Sequence, residues 1–436
     1  MLLCVLKRIF WSGVATSAPC VCHASRPISE DDGILEVEVL DGWWTIEQHT
    51  SLAWTFPRQE PTTAYHPDRY LDTHELWIFD STKDVWKCRR CEGTCPPGTS
   101  GACGILLKPY WYIIGGHTDF GNVSDVYRLH LHTFTWEQVD MDGPGMSPRD
   151  KFTAWVYKEQ IYCFGGFGRN AARDENLFSD HGTFVEDINE STVFNRCWNN
   201  QLLVLDVQAR RWMNPLCKGP VPVPRAAHSA VLVHNTVYIF GGRHLNQRMN
   251  DLHRLDLDTL TWSGQLTTGG SQPIGRSWHT MAFVCNNSLL LYGGFSQDER
   301  ALDDVWLLSL VTLQWTLVSP TNGYPLLWHT ASTTQSGSVL VFGGCSNNIL
   351  NIEYELKFSD QVIKFQMEPK GLMSLCMEVL VRHHRETNKE WSCLPKQIQR
   401  WLTEKHRLYE QWEKLDDELK KKIGLVAVSG FRVLEN

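Results

Sequence analysis

Arg243 and Arg248 lie five residues apart, immediately after a Gly-Gly pair. Two guanidiniums leaving one short loop are costly to desolvate unless an anion satisfies them, and a carboxylate accepts their paired N–H donors with good geometry. Ser277, in the stretch GRSWHT, could add a hydroxyl donor, and Trp278 beside it an apolar wall. On residue types alone two other readings stand: solvated loop charges, or a pairing of the arginines with Asp251. Trp278 and Trp328 could likewise do no more than fill a channel. The chain carries 41 basic against 49 acidic residues, a net charge of −8. That balance argues against a general polyanion-binding surface, so an anion site has to be local.

Other chemistry-bearing residues point away from catalysis. His228, His279 and His329 recur in AAHS, SWHT and LWHT, in equivalent places and with no accompanying carboxylate. They read as a ring of structural hydrogen-bonding residues rather than metal ligands. Cys88, Cys91, Cys95 and Cys103 open with a Cys-x2-Cys pair, but the later spacings do not repeat it, which favours free thiols over zinc. No nucleophile is flanked by a base, and no tyrosine, histidine and cysteine set converges at matching loops to hold copper. No metal or cofactor is expected, and the chain does not read as an enzyme.

These residues hang on a repeat. Gly-Gly pairs at 115–116, 165–166, 241–242, 293–294 and 343–344 each follow a short apolar run: YWYIIGG, IYCFGGF, VYIFGGR, LLLYGGF, VLVFGGC. After each of the first four comes a polar loop and a second strand pattern ending in tryptophan, at Trp136, Trp212, Trp262 and Trp315. A period near 50 with these signatures means one four-stranded blade per repeat, the pattern of a kelch β-propeller. ELWIFDSTKDVW at 75–86 is a sound last strand of an additional blade whose Gly-Gly pair is missing. The expectation is therefore an all-β, six-bladed propeller with an irregular first blade, its last strand supplied by SDQVIKFQM. The polar stretch from Arg169 to Asn195 reads as an irregular insertion on one face.

The expected organisation is an atypical, disordered leader over 1–40, the propeller over 41–366, helical boxes over 367–402 and a charged helical tail over 403–436. Neither a secretory signal nor a membrane span matches the first 25 residues well. After Lys370 the period changes from strand to helix, with Leu372, Leu375, Cys376, Val379 and Leu380 on one face. Leu372, Cys376 and Leu380 fit Leu-x3-Cys-x3-Leu, which resembles the BC box that inserts into elongin C. Leu394, Pro395 and Ile398 of CLPKQI are similar to the box that selects cullin-2.

The blocks SPRDKFTAWVYK, PRAAHSAVL, GGRHLNQRMNDLHRLDLDTLTW, GRSWHT and LLWHT resemble the kelch domain-containing protein 2 subfamily, which includes relatives 1 and 3. The resemblance implies a substrate receptor that brings elongins B and C and cullin-2 with its RING subunit to a protein substrate, in nucleus and cytoplasm, with no nucleic acid and no membrane as partner. It implies further that Arg243, Arg248 and Ser277 bind the free C-terminal carboxylate of a substrate ending in Gly-Gly. Lys151, Phe167, Trp198, Trp278, Trp328, Ile349 and Leu350 would line the rest of the pocket. Phe167 stands where the family usually has tyrosine, which removes a phenolic hydroxyl. A kelch scaffold with no ligase role is the alternative.

Overall fold

A computed structural model describes residues 73–80, 85–170, 176–187, 196–284, 287–334, 337–350, 356–359 and 361–367, most of 376–406, and three short strands before residue 53. The described residues form eight sheets, six of which are blades that follow one another around a ring, as the repeat requires. The fourth blade shows the pattern: Ser229–Val233, Thr236–Phe240, Leu252–Asp256 and Thr261–Gln265 pair antiparallel in sequence order. The inner strands carry apolar residues on both faces because both faces meet a neighbouring blade, whereas the outer strand Thr261–Gln265 buries Trp262 and exposes Ser263 and Gln265.

The repeat tryptophans lie in those interfaces. Trp136, Trp212, Trp262 and Trp315 are all buried, each directly opposite a leucine of the preceding strand. Trp262 also packs on Phe164 of the preceding blade at 4.9 Å between ring centres, and Trp315 on Phe240 at 5.2 Å. A buried ring of this size removes up to about 5 kcal/mol worth of apolar surface from water. The core is thus a set of blade-to-blade clusters, one of which joins Leu340 and Val362 of the sixth blade to Leu76 and Ile78 of the first.

Both glycines of every pair have positive φ, for example 62° at Gly241 and 93° at Gly242. A Cβ on Gly242 would lie 2.7 Å from the Cβ of His228, so the close approach of loop and strand excludes any side chain there.

Three expectations are corrected. Gln361–Gln366 is the third strand of the sixth blade, not its last, because Glu36–Asp41 pairs antiparallel outside it. The N-terminal segment thereby closes the ring, and the stretch read as a leader contributes to the propeller. The insertion is not wholly irregular either: Phe184–Glu186 forms a strand against Arg196–Asn199. Among the described residues the first blade has Leu3–Val5, Glu75–Asp80 and Val85–Arg90 as paired strands.

In the tail, Val381, Trp391 and Leu402 form a small core of their own, with Leu380, Leu394 and Ile398 packed against it. Residues 407–436, which hold most of the expected charged helix, lie outside the described residues.

Candidate functional site

The site grows from one loop position repeated in each blade. Gly101, Lys151, Ala227, Trp278 and Trp328 are the third residues of the loops entering five successive blades, and all have φ between 54° and 63°. Left-handed backbone costs a non-glycine residue about 1 kcal/mol or more, so the surroundings must hold it. They do so with a chain of backbone hydrogen bonds. Lys151 N–H donates to Gly101 O at 2.9 Å, Ala227 N–H to Lys151 O at 2.8 Å, Trp278 N–H to Ala227 O at 2.9 Å and Trp328 N–H to Trp278 O at 3.1 Å.

These five residues line a cavity of about 230 Å³. Asp150, Arg196, His228, His279 and His329 complete much of its wall. The indoles of Trp278 and Trp328 meet edge to face at 5.4 Å, and Ile349 packs against the same cluster.

Beside this cavity a two-stranded ribbon, Arg243–His244 with Gln247–Arg248, sets Arg243 directly across from Arg248. Its first strand is tied to the loop before the fourth blade by a reciprocal pair of hydrogen bonds between Arg243 and Ala226. Its second strand is held by Gln297, whose Oε1 accepts from Arg248 N–H at 2.9 Å. Arg248 is buried, donates from Nε to Ser277 Oγ at 3.2 Å and lies 4.7 Å from the centre of the Phe295 ring. Arg243 is half-buried, with its guanidinium 5.8 Å from the Trp198 ring. Phe167 stacks on Trp198 at 4.7 Å.

Among the described residues neither Arg243 nor Arg248 forms an ion pair. Asp251, the partner that the sequence allowed for them, is committed elsewhere: Arg225 grips it with two bonds of 2.8 Å and His253 adds a third. Burial and then the Arg243 charge lower the pKa of Arg248. Two cations facing each other at low solvent exposure are an electrostatic debt that a bound anion would settle.

Of the residues singled out by sequence, Lys151, Trp278 and Trp328 line the cavity. Arg243, Arg248, Ser277, Phe167 and Trp198 form the adjoining wall, linked through Ala226 and Ser277 to the ring residues that follow them. Leu350 is 44% exposed at the edge. Sequence reasoning missed Gly101, Asp150, Arg196 and Ala227. Gly101 and Ala227 carry no chemistry and are found only by aligning the repeats, since the ring positions keep the spacing of the Gly-Gly pairs.

Two of the three histidines make the expected hydrogen bonds: His228 Nε2 bonds Thr153 Oγ1 at 2.8 Å and His329 Nε2 bonds Thr280 Oγ1 at 2.9 Å, each across to the preceding blade, whereas neither ring nitrogen of the buried His279 makes such a bond among the described residues. Burial drives the pKa of His228 and His329 down to about 3, so they are neutral. Cys91 and Cys103 are buried, and desolvation pushes the pKa of each thiol up to about 12. In the tail, Cys376 is exposed on a helix, whereas Leu380, Leu394 and Ile398 turn toward the tail's own core and Pro395 is exposed. Leu372 lies outside the described residues.

Fold and site together define a kelch β-propeller whose axis carries a pocket walled by tryptophan and bordered by arginine. The family model described as the KLHDC2/KLHL20/DRC7 Kelch-repeats domain matches residues 64–192 and 192–372. Kelch domain-containing protein 2 of Bos taurus is 37% identical over 340 residues, covering 76% of this chain and 82% of that protein. Kelch domain-containing protein 1 of Mus musculus is 34% identical over 365 residues, covering 80% and 88%. The chain belongs to this kelch-repeat family.

Proposed function

We propose that the protein is the substrate-recognition subunit of a cullin-2, elongin B/C RING ubiquitin ligase, and that its pocket captures the free C-terminus of proteins ending in Gly-Gly. The observation that carries this reading is the arginine pair: Arg243 and Arg248 face each other beside the Ser277 hydroxyl, and among the described residues neither forms an ion pair, with the charge of Glu299 acting on Arg248 only as a lesser influence than burial and Arg243. A terminal carboxylate supplies two acceptor oxygens for such donors. Trp278, Trp328 and Ile349 belong to one apolar cluster with Phe295, on whose ring Arg248 lies, and bulky walls of this kind favour glycine in the last positions of a ligand.

The mechanism is recognition, not bond making. The propeller holds the substrate's end, and the tail recruits the elongins and cullin-2, so that ubiquitin is transferred to a substrate lysine elsewhere. The exposed Cys376 and its similarity to the small residue of a BC box support the tail's part, together with the separate core formed by tail residues.

Calorimetry with a Gly-Gly peptide as free acid and as amide tests the pocket. Amidation, or removal of either arginine, is expected to cost about 2–5 kcal/mol of binding. Equal affinity of acid and amide would overturn the C-terminus reading. For the tail, charged residues at both Leu372 and Cys376 should abolish co-purification with elongin C while peptide binding survives. Recovery of elongin C by that folded variant would leave the scaffold alternative standing.

A further inference from the structure

Asp150 is the carboxylate of the cavity lining and has a side chain only 1% exposed. One of its oxygens, Oδ2, takes the Lys151 ammonium. The other, Oδ1, has no hydrogen-bond partner among the described residues and lies 4.0 Å from the Arg196 guanidinium. A buried carboxylate oxygen accepting no hydrogen bond is rare in folded proteins, because desolvation strips its water without replacement. The residue that carries it lines a cavity.

Asp150 also belongs physically to the arginine wall. It lies directly across the strand pair from Phe167, and the Arg196 guanidinium covers the Phe167 ring at 4.4 Å. Phe167 in turn stacks on Trp198, over which Arg243 sits. The carboxylate and the arginine ribbon thus stand on opposite flanks of one aromatic pair. At the corresponding loop position the other blades carry Ala226, Ser277 and Leu327, none of them acidic.

We propose that Asp150 is a specificity-determining residue of the pocket: its Oδ1 accepts a hydrogen bond from a backbone N–H of a polypeptide whose terminal carboxylate is held by Arg243 and Arg248. The inference rests on the proposed carboxylate reading and deepens it. The ligand class it selects is a peptide with a free N–H behind its terminus, as opposed to a small carboxylic acid or an N-substituted end. Lys151, bound to the second oxygen, fixes the direction in which the carboxylate presents the first. A peptide chain alternates donor and acceptor groups, so a site offering an acceptor on one flank and cations on the other reads polarity along the chain.

The test is a double-mutant cycle in which one partner belongs to the peptide. Wild-type protein and Asp150→Asn are titrated with a Gly-Gly-ending peptide and with versions N-methylated at each of the last three peptide bonds. Loss of one hydrogen bond to a buried charge corresponds to about tenfold or more in affinity. One methylated position should weaken wild-type binding by that factor and change binding to Asp150→Asn by less than about twofold. Equal loss in both proteins would show a steric effect and overturn the proposal, as would a scan in which no position is sensitive. Asp150→Ser serves the same cycle if the asparagine variant lacks the wild-type circular dichroism spectrum. The amide of the same peptide separates the two ideas. If acid and amide differ but the cycle shows no coupling, only Asp150 loses its role; if acid and amide bind equally, the clamp itself fails.

Discussion

Three loops between blades place an arginine at the same position, and they solve its burial differently. Arg225 and Arg276 are fully buried, and each is gripped by two bonds to a carboxylate of its own blade, Asp251 and Asp304. Arg149 is equally buried but meets only neutral acceptors: Gln201 Oε1 at 2.9 Å, Asn199 Oδ1 at 2.7 Å, Ser147 and the Gly165 carbonyl. Burial lowers its pKa to about 10. Gln201 occupies the register position of Asp251 and Asp304, and Phe152 takes the place of His228 and His279. In that third-blade corner the carboxylate has moved into the cavity, as Asp150. Where the acid serves the scaffold the corner is locked by charge. In the third-blade corner, beside Asp150, amides hold the arginine instead.

The largest test of this contrast is Arg276→Met. It strands Asp304 in a mostly buried place, and loss of one partner of such a pair costs about 3–5 kcal/mol of folding stability, readable by urea denaturation. Arg149→Met, by comparison, strands only neutral acceptors and should cost about 1–3 kcal/mol. If the two variants lose equal stability, the distinction between charged and neutral corners has no energetic meaning.

The histidine corners differ from the phenylalanine corner in acid. His228 and His329 have folded-state pKa values near 3, lowered by burial from the ordinary 6.5. The unfolded chain therefore takes up protons that the native state refuses as pH falls from about 6.5 toward 3. Their stabilisation is fully present above that window and is lost through it, at about 1.4 kcal/mol per pH unit for each histidine. His228→Phe, copying the third-blade corner, should flatten the pH dependence by one such increment. An unchanged slope would mean that His228 is protonated in the native protein.

The smallest effect is expected from Gln201→Asp. It gives Arg149 the carboxylate of the other corners but removes the amide hydrogens donated to Phe178 O and Asp180 O. Gain and loss should cancel to within about 1 kcal/mol. A large stabilisation would show that the neutral corner is a weak point of the fold.

The scaffold was legible because each blade repeats its own physics. A Gly-Gly pair announces a close approach that tolerates no Cβ, and a terminal tryptophan announces an interface. The arginine pair was legible because its cost demands an explanation. The closing strand Glu36–Asp41 was not, since its partner lies at the far end of the chain and a short alternating run does not name a distant neighbour. Asp150 was missed because an acidic residue in a loop looks solvated until burial is known. Asp251 was misassigned as a possible partner of Arg243 or Arg248 for the same reason: sequence shows that charges are near, not which one is in reach.

The hydrogen bonds that run from Gly101 to Trp328 are made by main-chain atoms alone. A glycine, a lysine, an alanine and two tryptophans sit in the same backbone conformation along this hoop, so its gauge does not depend on what each position displays. The pocket is in that sense a setting with exchangeable stones. The side chain displayed at a hoop position can differ without changing the main-chain bonds that carry it.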